Sequence, residues 1–338
     1  MSDARDLTKE VEQQWRTCAE LALEQGLRLP REPEFLAAID KVWEGSDYVV
    51  QSCLRDPQLL GWLLSEGRLT QRLAPGEIDS GLQQALVDVG DEPALAQTLR
   101  GFRRKQLVRI IWRDLAGWAP LGETLEDLSA LADACVDQAL DLLYRWTVSE
   151  LGIPRDSKGQ PQRMVVLGMG KLGARELNLS SDIDLIFAFP DARGHVDGPR
   201  ALTPEQFFVR LGQRLVQALN AQTVDGFVFR VDTRLRPFGE AGPLAMSFGA
   251  MEDYYQSQAR EWERYAMIKA RVVAGDSQAG AHLTAMLRPF VYRRYLDFGA
   301  IESLREMKAL ISKELVRKGM ADNIKLGPGG IREIEFIG

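Results

Sequence analysis

Three glycines and three aspartates carry most of the chemistry that this sequence can hold. Gly168, Gly170 and Gly173 spell G-x-G-x-x-G at the end of the apolar run RMVVLG. Asp182 and Asp184 follow in SSDIDLIFAF, and Asp232 closes FVFRVD. The glycines alone would suit a dinucleotide pyrophosphate. That motif, however, needs a helix of about a dozen residues and then a strand ending in an acid about 20 residues on. Here only ARELNLSS separates Gly173 from Asp182, and the acids stand at the start of the next strand. The dinucleotide reading fits poorly.

A metal reading fits better. On a strand, residues two apart face the same side, so Asp182 and Asp184 project together while Ile183 and Leu185 enter a core. Two carboxylates on one face can hold a pair of Mg²⁺ ions about 3.5–4 Å apart, the clamp used for in-line displacement at phosphorus. Mg²⁺ favours such hard oxygen ligands. Val228, Arg230 and Asp232 share a face of a further strand candidate, and if that strand is a neighbour Asp232 completes an acidic triad. Backbone N–H groups at Gly168, Gly170 and Gly173 can approach a phosphate closely. Lys171, Ser180, Ser181, Arg234 and Arg236 are candidate phosphate contacts, with Lys269 and Arg271 as further basic candidates. All these cations can equally be partners in structural ion pairs.

These residues need elements to position them. RMVVLG, DIDLIFAF and GFVFRVD read as strands, and the segment from Thr203 carries a helical stripe of Phe207, Leu211, Leu215 and Leu219. Residues 1–150 read as helical throughout: Val11, Trp15, Cys18 and Ala22 form one stripe, and Phe35, Ile39 and Val42 another. Asp56-Pro57 divides two further short helices. The expected organisation is a helical domain at 1–150, a small mixed-sheet domain at 151–275 and a helical region at 276–338, an α+β fold. The last residues, LGPGGIREIEFIG, read as the start of another helix, so a longer parent protein is expected. The basic segment with Arg100, Arg104, Lys105, Arg109 and Arg113 at helical spacing reads as a solvated face or a docking surface.

The bulk numbers narrow the class. The chain has 338 residues, 45% of them hydrophobic, and a formal net charge of −6. That balance argues against a nucleic-acid binder. Cys18, Cys53 and Cys135 lack any paired spacing, which argues against a disulfide framework or a structural zinc site. His195 and His282 are too few for a histidine-based metal site. The polar, acidic start is unlike a signal peptide, and no apolar run reaches the roughly 20 residues of a membrane helix, so a cytoplasmic protein is expected.

Glycine loop, D-x-D strand and later acid resemble the nucleotidyltransferase superfamily, although Gly170-Lys171 stands where that superfamily has Gly followed by Gly or Ser. GMGKLGARELNLSSDIDLIF, RVDTRLRPFGEAGPL, WERYAMIKARVVAGD, FVYRRYLDF and IKLGPGGIREIEFI are similar, in order, to bifunctional glutamine synthetase adenylyltransferase/adenylyl-removing enzymes. The sequence resembles their N-terminal, adenylyl-removing half, a nucleotidyltransferase-type domain flanked by helices. The resemblance implies metal-binding carboxylates at Asp182, Asp184 and Asp232. It also implies phosphorolysis of adenylyl-tyrosine on glutamine synthetase to give ADP, with a PII-type signalling protein as regulatory partner. ATP-dependent adenylylation and a non-catalytic sensor remain alternatives.

Overall fold

The computed structural model describes residues 2–27, 29, 30, 32–224, 226–292 and 298–317, with single positions 324, 327, 329, 330 and 334 beyond them. The helix expected near the end of the chain, and part of FVYRRYLDF, lie outside the described residues. The chain opens with helices α1 (Ser2–Glu24), α2 (Pro33–Gly45), α3 (Asp47–Arg55), α4 (Pro57–Leu64), α5 (Glu77–Ala85), α6 (Glu92–Leu115) and α7 (Leu121–Leu151). Then come β1 (Ile153–Arg155), β2 (Val165–Gly168), the single turn α8 (Gly170–Gly173), β3 (Ile183–Phe189), β4 (His195–Asp197), α9 (Pro204–Asn220) and β5 (Val231–Asp232). The described elements finish with β6 (Ala245–Ser247), α10 (Phe248–Ser257), α11 (Glu261–Met267), β7 (Arg271–Gly275), α12 (Ser277–Val291) and α13 (Phe298–Arg317). The fold is α+β, with small mixed sheets in a largely helical chain.

Local chemistry sets the helix starts. Ser46 accepts from the Val49 N–H and Asp91 from the Ala94 N–H, each satisfying an amide that the first turn leaves unpaired. At α9, Thr203 and Gln206 form a reciprocal capping box with Pro204 in the first turn. The stripe that places α1 holds: Val11, Cys18 and Ala22 are buried, with Trp15 packed edge-on against Trp43.

The main sheet runs in the order β5-β3-β2-β7, with β6 also paired to β3. β2 lies antiparallel to β3 and to β7, whereas β5 and β6 run parallel to the start and end of β3. β1 and β4 form a separate antiparallel ribbon. Antiparallel β2 and β3 remove the dinucleotide reading, because that motif requires two parallel strands joined by a crossover helix. Ile183, Leu185, Phe187 and Phe189 on one face of β3 join a large core that extends through α1 to α7 and α9. Ile186 and Ala188 on the other face meet Val165, Leu167, Met251, Tyr255 and Leu283 in a second core. By alternation, Asp184 and Asp182 continue that second face past Ile186, where the sheet opens.

Two expectations need correction. The strand expected over GFVFRVD pairs with β3 only at Val231–Asp232. The Val228 and Phe229 amides instead both donate to the Leu219 carbonyl at 3.0 Å, so this segment closes the end of α9. The basic segment of α6 is neither a solvated face nor a docking surface at Arg109 and Arg113, which are fully buried. Arg109 donates to the carbonyls of Arg68 and Gln71 at 2.7 Å and to Asp127 at 3.0 Å. Arg113 donates to the Leu69 carbonyl at 2.9 Å and to Glu123 at 2.7 Å. The two guanidiniums satisfy carbonyls of the 68–71 turn, and α7 supplies the counter-charge.

All three cysteines are free and buried, and burial pushes the Cys18 thiol up to about 11 and the Cys135 thiol up to about 12. They are packing residues without thiolate character. Among the described residues, no helix is long and apolar enough to cross a membrane.

The Arg113–Glu123 pair generates a stability prediction. Removing one member of a buried pair leaves the other charge uncompensated, at a cost of about 3–5 kcal/mol. Arg113→Ala should therefore unfold at a markedly lower denaturant concentration than the unsubstituted chain. A joint replacement of Arg113 and Glu123 by Met and Leu should recover most of the difference. An Arg113→Ala midpoint equal to the parent's would contradict the assignment.

Candidate functional site

The parallel contact between β3 and β5 sets the geometry. Ile183 pairs with Val231 and Asp184 with Asp232, and the Ile183 amide donates to the Arg230 carbonyl at 2.9 Å. Registered residues on neighbouring strands, about 4.8 Å apart, project to the same side. Asp184 therefore stands beside Asp232, and Asp182 beside Arg230, all on the face that continues beyond Ile186. Carboxylates placed side by side repel, so this corner of the sheet needs positive charge.

Arginines supply it. Arg230 donates through Nε to Asp182 Oδ1 and through a terminal nitrogen to the Ser180 carbonyl. Arg234 donates its backbone amide to Asp232 Oδ1 at 2.8 Å and its Nε to both oxygens, at 3.1 and 2.9 Å. The Arg234 guanidinium holds the Asp232 carboxyl below the usual carboxylate range, so Asp232 is charged at neutral pH. With the outer acids turned toward arginines, no group of three His, Cys, Asp or Glu side chains among the described residues is gathered closely enough to hold a metal ion. The donor set itself suits a hard cation: three carboxylates on one open face, two of them in register. Asp182, Asp184 and Asp232, the expected cation ligands, share this face but are not drawn together into a closed ligand set.

The glycine loop is joined to this face. The Met169 amide donates to the Asp184 carbonyl at 2.9 Å. Gly170 has φ +54°, and a β-carbon there would lie 3.4 Å from Asp184 Oδ2, so a bare α-carbon faces the acid. Gly168 and Gly173 serve packing. A β-carbon at Gly168 would meet Val273 at 2.6 Å, and one at Gly173 would meet the Lys269 carbonyl at 1.8 Å. The Gly173 amide already donates to the Met169 carbonyl.

The remaining candidates divide by what their donors reach. Lys171 is partly exposed and donates to Asn178 Oδ1 at 3.2 Å; the Ser181 hydroxyl donates to the same oxygen. Ser180 has φ +62° and is exposed. Arg234 is 70% exposed, with its guanidinium on the Asp232 carboxylate. Arg236 is occupied inside its own loop, donating to the Thr233 carbonyl at 2.8 Å and to the Gly242 carbonyl at 3.3 Å. Arg271 grips both oxygens of Asp133 at 2.8 and 3.0 Å and donates to the Leu172 and Gly173 carbonyls, so it ties α8 and β7 to α7. Lys269 pairs with Glu176 at 3.0 Å. Both histidines lie elsewhere, His195 on the β1–β4 ribbon and His282 against Phe248.

Three participants were missed by sequence reasoning. Arg230 shares the alternation that selects Asp232, and that was the available signal. Asn178 organises Lys171 and Ser181 from a turn with no pattern of its own. Asp133 sits 138 residues from Arg271, and no local spacing joins them. The assembled corner is a row of acids edged by exposed cations, beside a turn that presents no side chain at Gly170. Such a surface can position phosphate groups and offset their charge.

A family model described as glutamate-ammonia ligase adenylyltransferase matches residues 36–286, which include all three aspartates and the glycine loop. A second, described as GlnD PII-uridylyltransferase, matches residues 305–338. Similar curated proteins carry the name bifunctional glutamine synthetase adenylyltransferase/adenylyl-removing enzyme. The one from Nitrosococcus oceani is 59% identical over 298 residues, 88% of this chain and 31% of the relative. That from Pseudomonas aeruginosa is 59% identical over 305 residues, 90% of this chain and 31% of the relative. That from Shewanella loihica is 49% identical over 334 residues, 98% of this chain and 34% of the relative. The chain thus spans about a third of the length of the curated relatives it matches. With identity this high and a family match across most of its residues, the chain belongs to the glutamate-ammonia ligase adenylyltransferase family.

Proposed function

We propose that this chain removes the adenylyl group from a modified tyrosine of glutamine synthetase by phosphorolysis. An oxygen of inorganic phosphate attacks the α-phosphorus, the bond from phosphorus to the tyrosine oxygen breaks, and ADP leaves. The released phenolate takes a proton from solvent; its ordinary pKa of about 10 makes it an adequate leaving group without a dedicated acid. The observation that carries the reading is the registered pair Asp184 and Asp232 beside Gly170, in a chain 59% identical to relatives named for adding and removing adenylyl groups on glutamine synthetase. The blocks around Asp182, Arg236 and Lys269 are similar to the removing half of such enzymes, which supports the direction.

In this reading Asp182, Asp184 and Asp232 hold Mg²⁺, which when bound offsets charge on the phosphate oxygens. The rest is positioning by the chain's own groups. Gly170 presents no side chain beside Asp184, so the backbone turn can approach a phosphate. Lys171 and Arg234, on opposite borders of the acidic row, draw phosphates toward it, while Arg236 holds the 233–242 loop that carries Arg234. No side-chain nucleophile is required, so neither histidine nor cysteine has a part. Addition of adenylyl groups from ATP is the second reading, favoured by the adenylyltransferase description of the matching family.

Incubation with adenylylated glutamine synthetase, phosphate and Mg²⁺ should release ADP, and omission of phosphate should stop it. Formation of pyrophosphate from ATP with unmodified glutamine synthetase, and no ADP release, would replace this reading by the adding one. Asp184→Asn should lower turnover by about 10³-fold, the scale of losing a charge-stabilising group at phosphorus, with a melting temperature no lower than the parent's. Turnover within a factor of two of the parent would remove Asp184 from the site.

Arg234→Gln should raise the KM for phosphate by about tenfold or more, the range for losing a hydrogen bond to a charged group. An unchanged KM for phosphate, with any loss confined to kcat, would mean that Arg234 does not bind the phosphate.

A further inference from the structure

Arg230 lies between the acidic row and the helical half of the chain. Toward the site it donates to Asp182 and to the carbonyl of Ser180, whose left-handed φ of +62° is costly for a residue with a side chain. One guanidinium therefore links the acid to the turn that delivers it. Away from the site, the same guanidinium lies over the ring of Phe227 at 5.4 Å from its centroid. Arg103 of α6 also lies 5.4 Å from the Phe227 centroid, and 5.4 Å from that of Phe229. Arg103 is itself half-buried, hydrogen-bonded to Tyr48 of α3, and burial lowers its pKa. A continuous stack thus runs from α3 and α6 through Arg103, Phe227 and Arg230 to Asp182.

We propose that Arg230 is a positioning residue that acts as the resident counter-ion of Asp182, displaced when a divalent cation enters, and that Phe227 and Arg103 set how firmly it is held. The inference rests on the reading of Asp182, Asp184 and Asp232 as cation ligands. The side chains of Arg230 and Asp182 are both about half exposed, at 47% and 53%. A pair so exposed is weak, so a cation can displace it at little cost. Whatever strengthens Arg230 on Asp182 must, by linkage, weaken the cation's binding. The helical half can thereby tune the site's affinity through the aromatic stack without touching any ligand.

The test uses the whole chain and Mn²⁺, with free ion followed by electron paramagnetic resonance, and needs no turnover. Arg230→Gln should bind Mn²⁺ about threefold to tenfold more tightly than the parent, since a competing unit charge beside the ion has gone. Phe227→Leu should tighten binding in the same direction by a smaller factor, and should add nothing in the Arg230→Gln background. Unchanged or weaker Mn²⁺ binding in Arg230→Gln, with binding still abolished by Asp184→Asn, overturns this inference while the cation site stands. An equal Phe227→Leu effect with and without Arg230 overturns the stack as the route. No Mn²⁺ binding by the parent chain overturns both the cation reading and this inference. Phe227→Leu keeps the question open to refutation should Arg230→Gln fail to fold.

Discussion

The structure is organised around an unfavourable contact. Asp184 and Asp232 sit opposite each other on parallel neighbours, where two carboxylates raise each other's energy. Such a pair survives only if the surroundings bring positive charge and hold the strands in register. Register comes from the apolar alternation of β3, since a slip of one residue would carry Asp182 and Asp184 into the large core and expel Ile183 and Leu185. Charge comes from Arg230 and Arg234, each within two residues of Asp232 along the chain. The brevity of β5 follows from the same demand. After Asp232 the chain leaves the sheet at once, because the Arg234 amide turns back onto the Asp232 carboxylate.

Rigid supports keep that contact in place from a distance. α7 packs against β7 and α9, and its Asp133 takes the Arg271 fork that also caps the carbonyls of Leu172 and Gly173. The glycine turn is therefore fastened to a 31-residue helix of the preceding half. That half is in turn braced by Arg109 and Arg113, whose guanidiniums fill the space under the 68–71 turn. The helical region and the sheet share one core, with residues of α6, α7 and β3 in a single packed cluster.

The helices were legible in the sequence because their signals are local. The α1 stripe, the Thr203 cap and the break at Asp56-Pro57 each depend on residues within one or two turns. The face shared by Asp182 and Asp184 was legible for the same reason. Pairings across long loops were not. β6 and β7 are short segments whose apolar residues divide between both cores, so they carry no apolar-polar alternation. The buried arginines of α6 were misread because helical spacing of basic residues looks alike in water and in a core. Only the carbonyls of Arg68, Leu69 and Gln71, about 40 residues earlier in the chain, distinguish the two cases.

The G-x-G-x-x-G string shows how one pattern can serve different physics. In a dinucleotide fold its glycines admit a pyrophosphate and pack a long helix on parallel strands. Here Gly168 and Gly173 are required by neighbours that a β-carbon would overlap, a Val273 methyl and the Lys269 carbonyl. Only Gly170, with its positive φ and bare α-carbon opposite Asp184, faces the acidic row. The spacing is set by one helical turn that must reverse the chain between antiparallel strands. A motif of three glycines thus divides into two required by the close approach of Lys269 and Val273 and one that presents no side chain to the acids. Its meaning is fixed by the direction of the strand that follows.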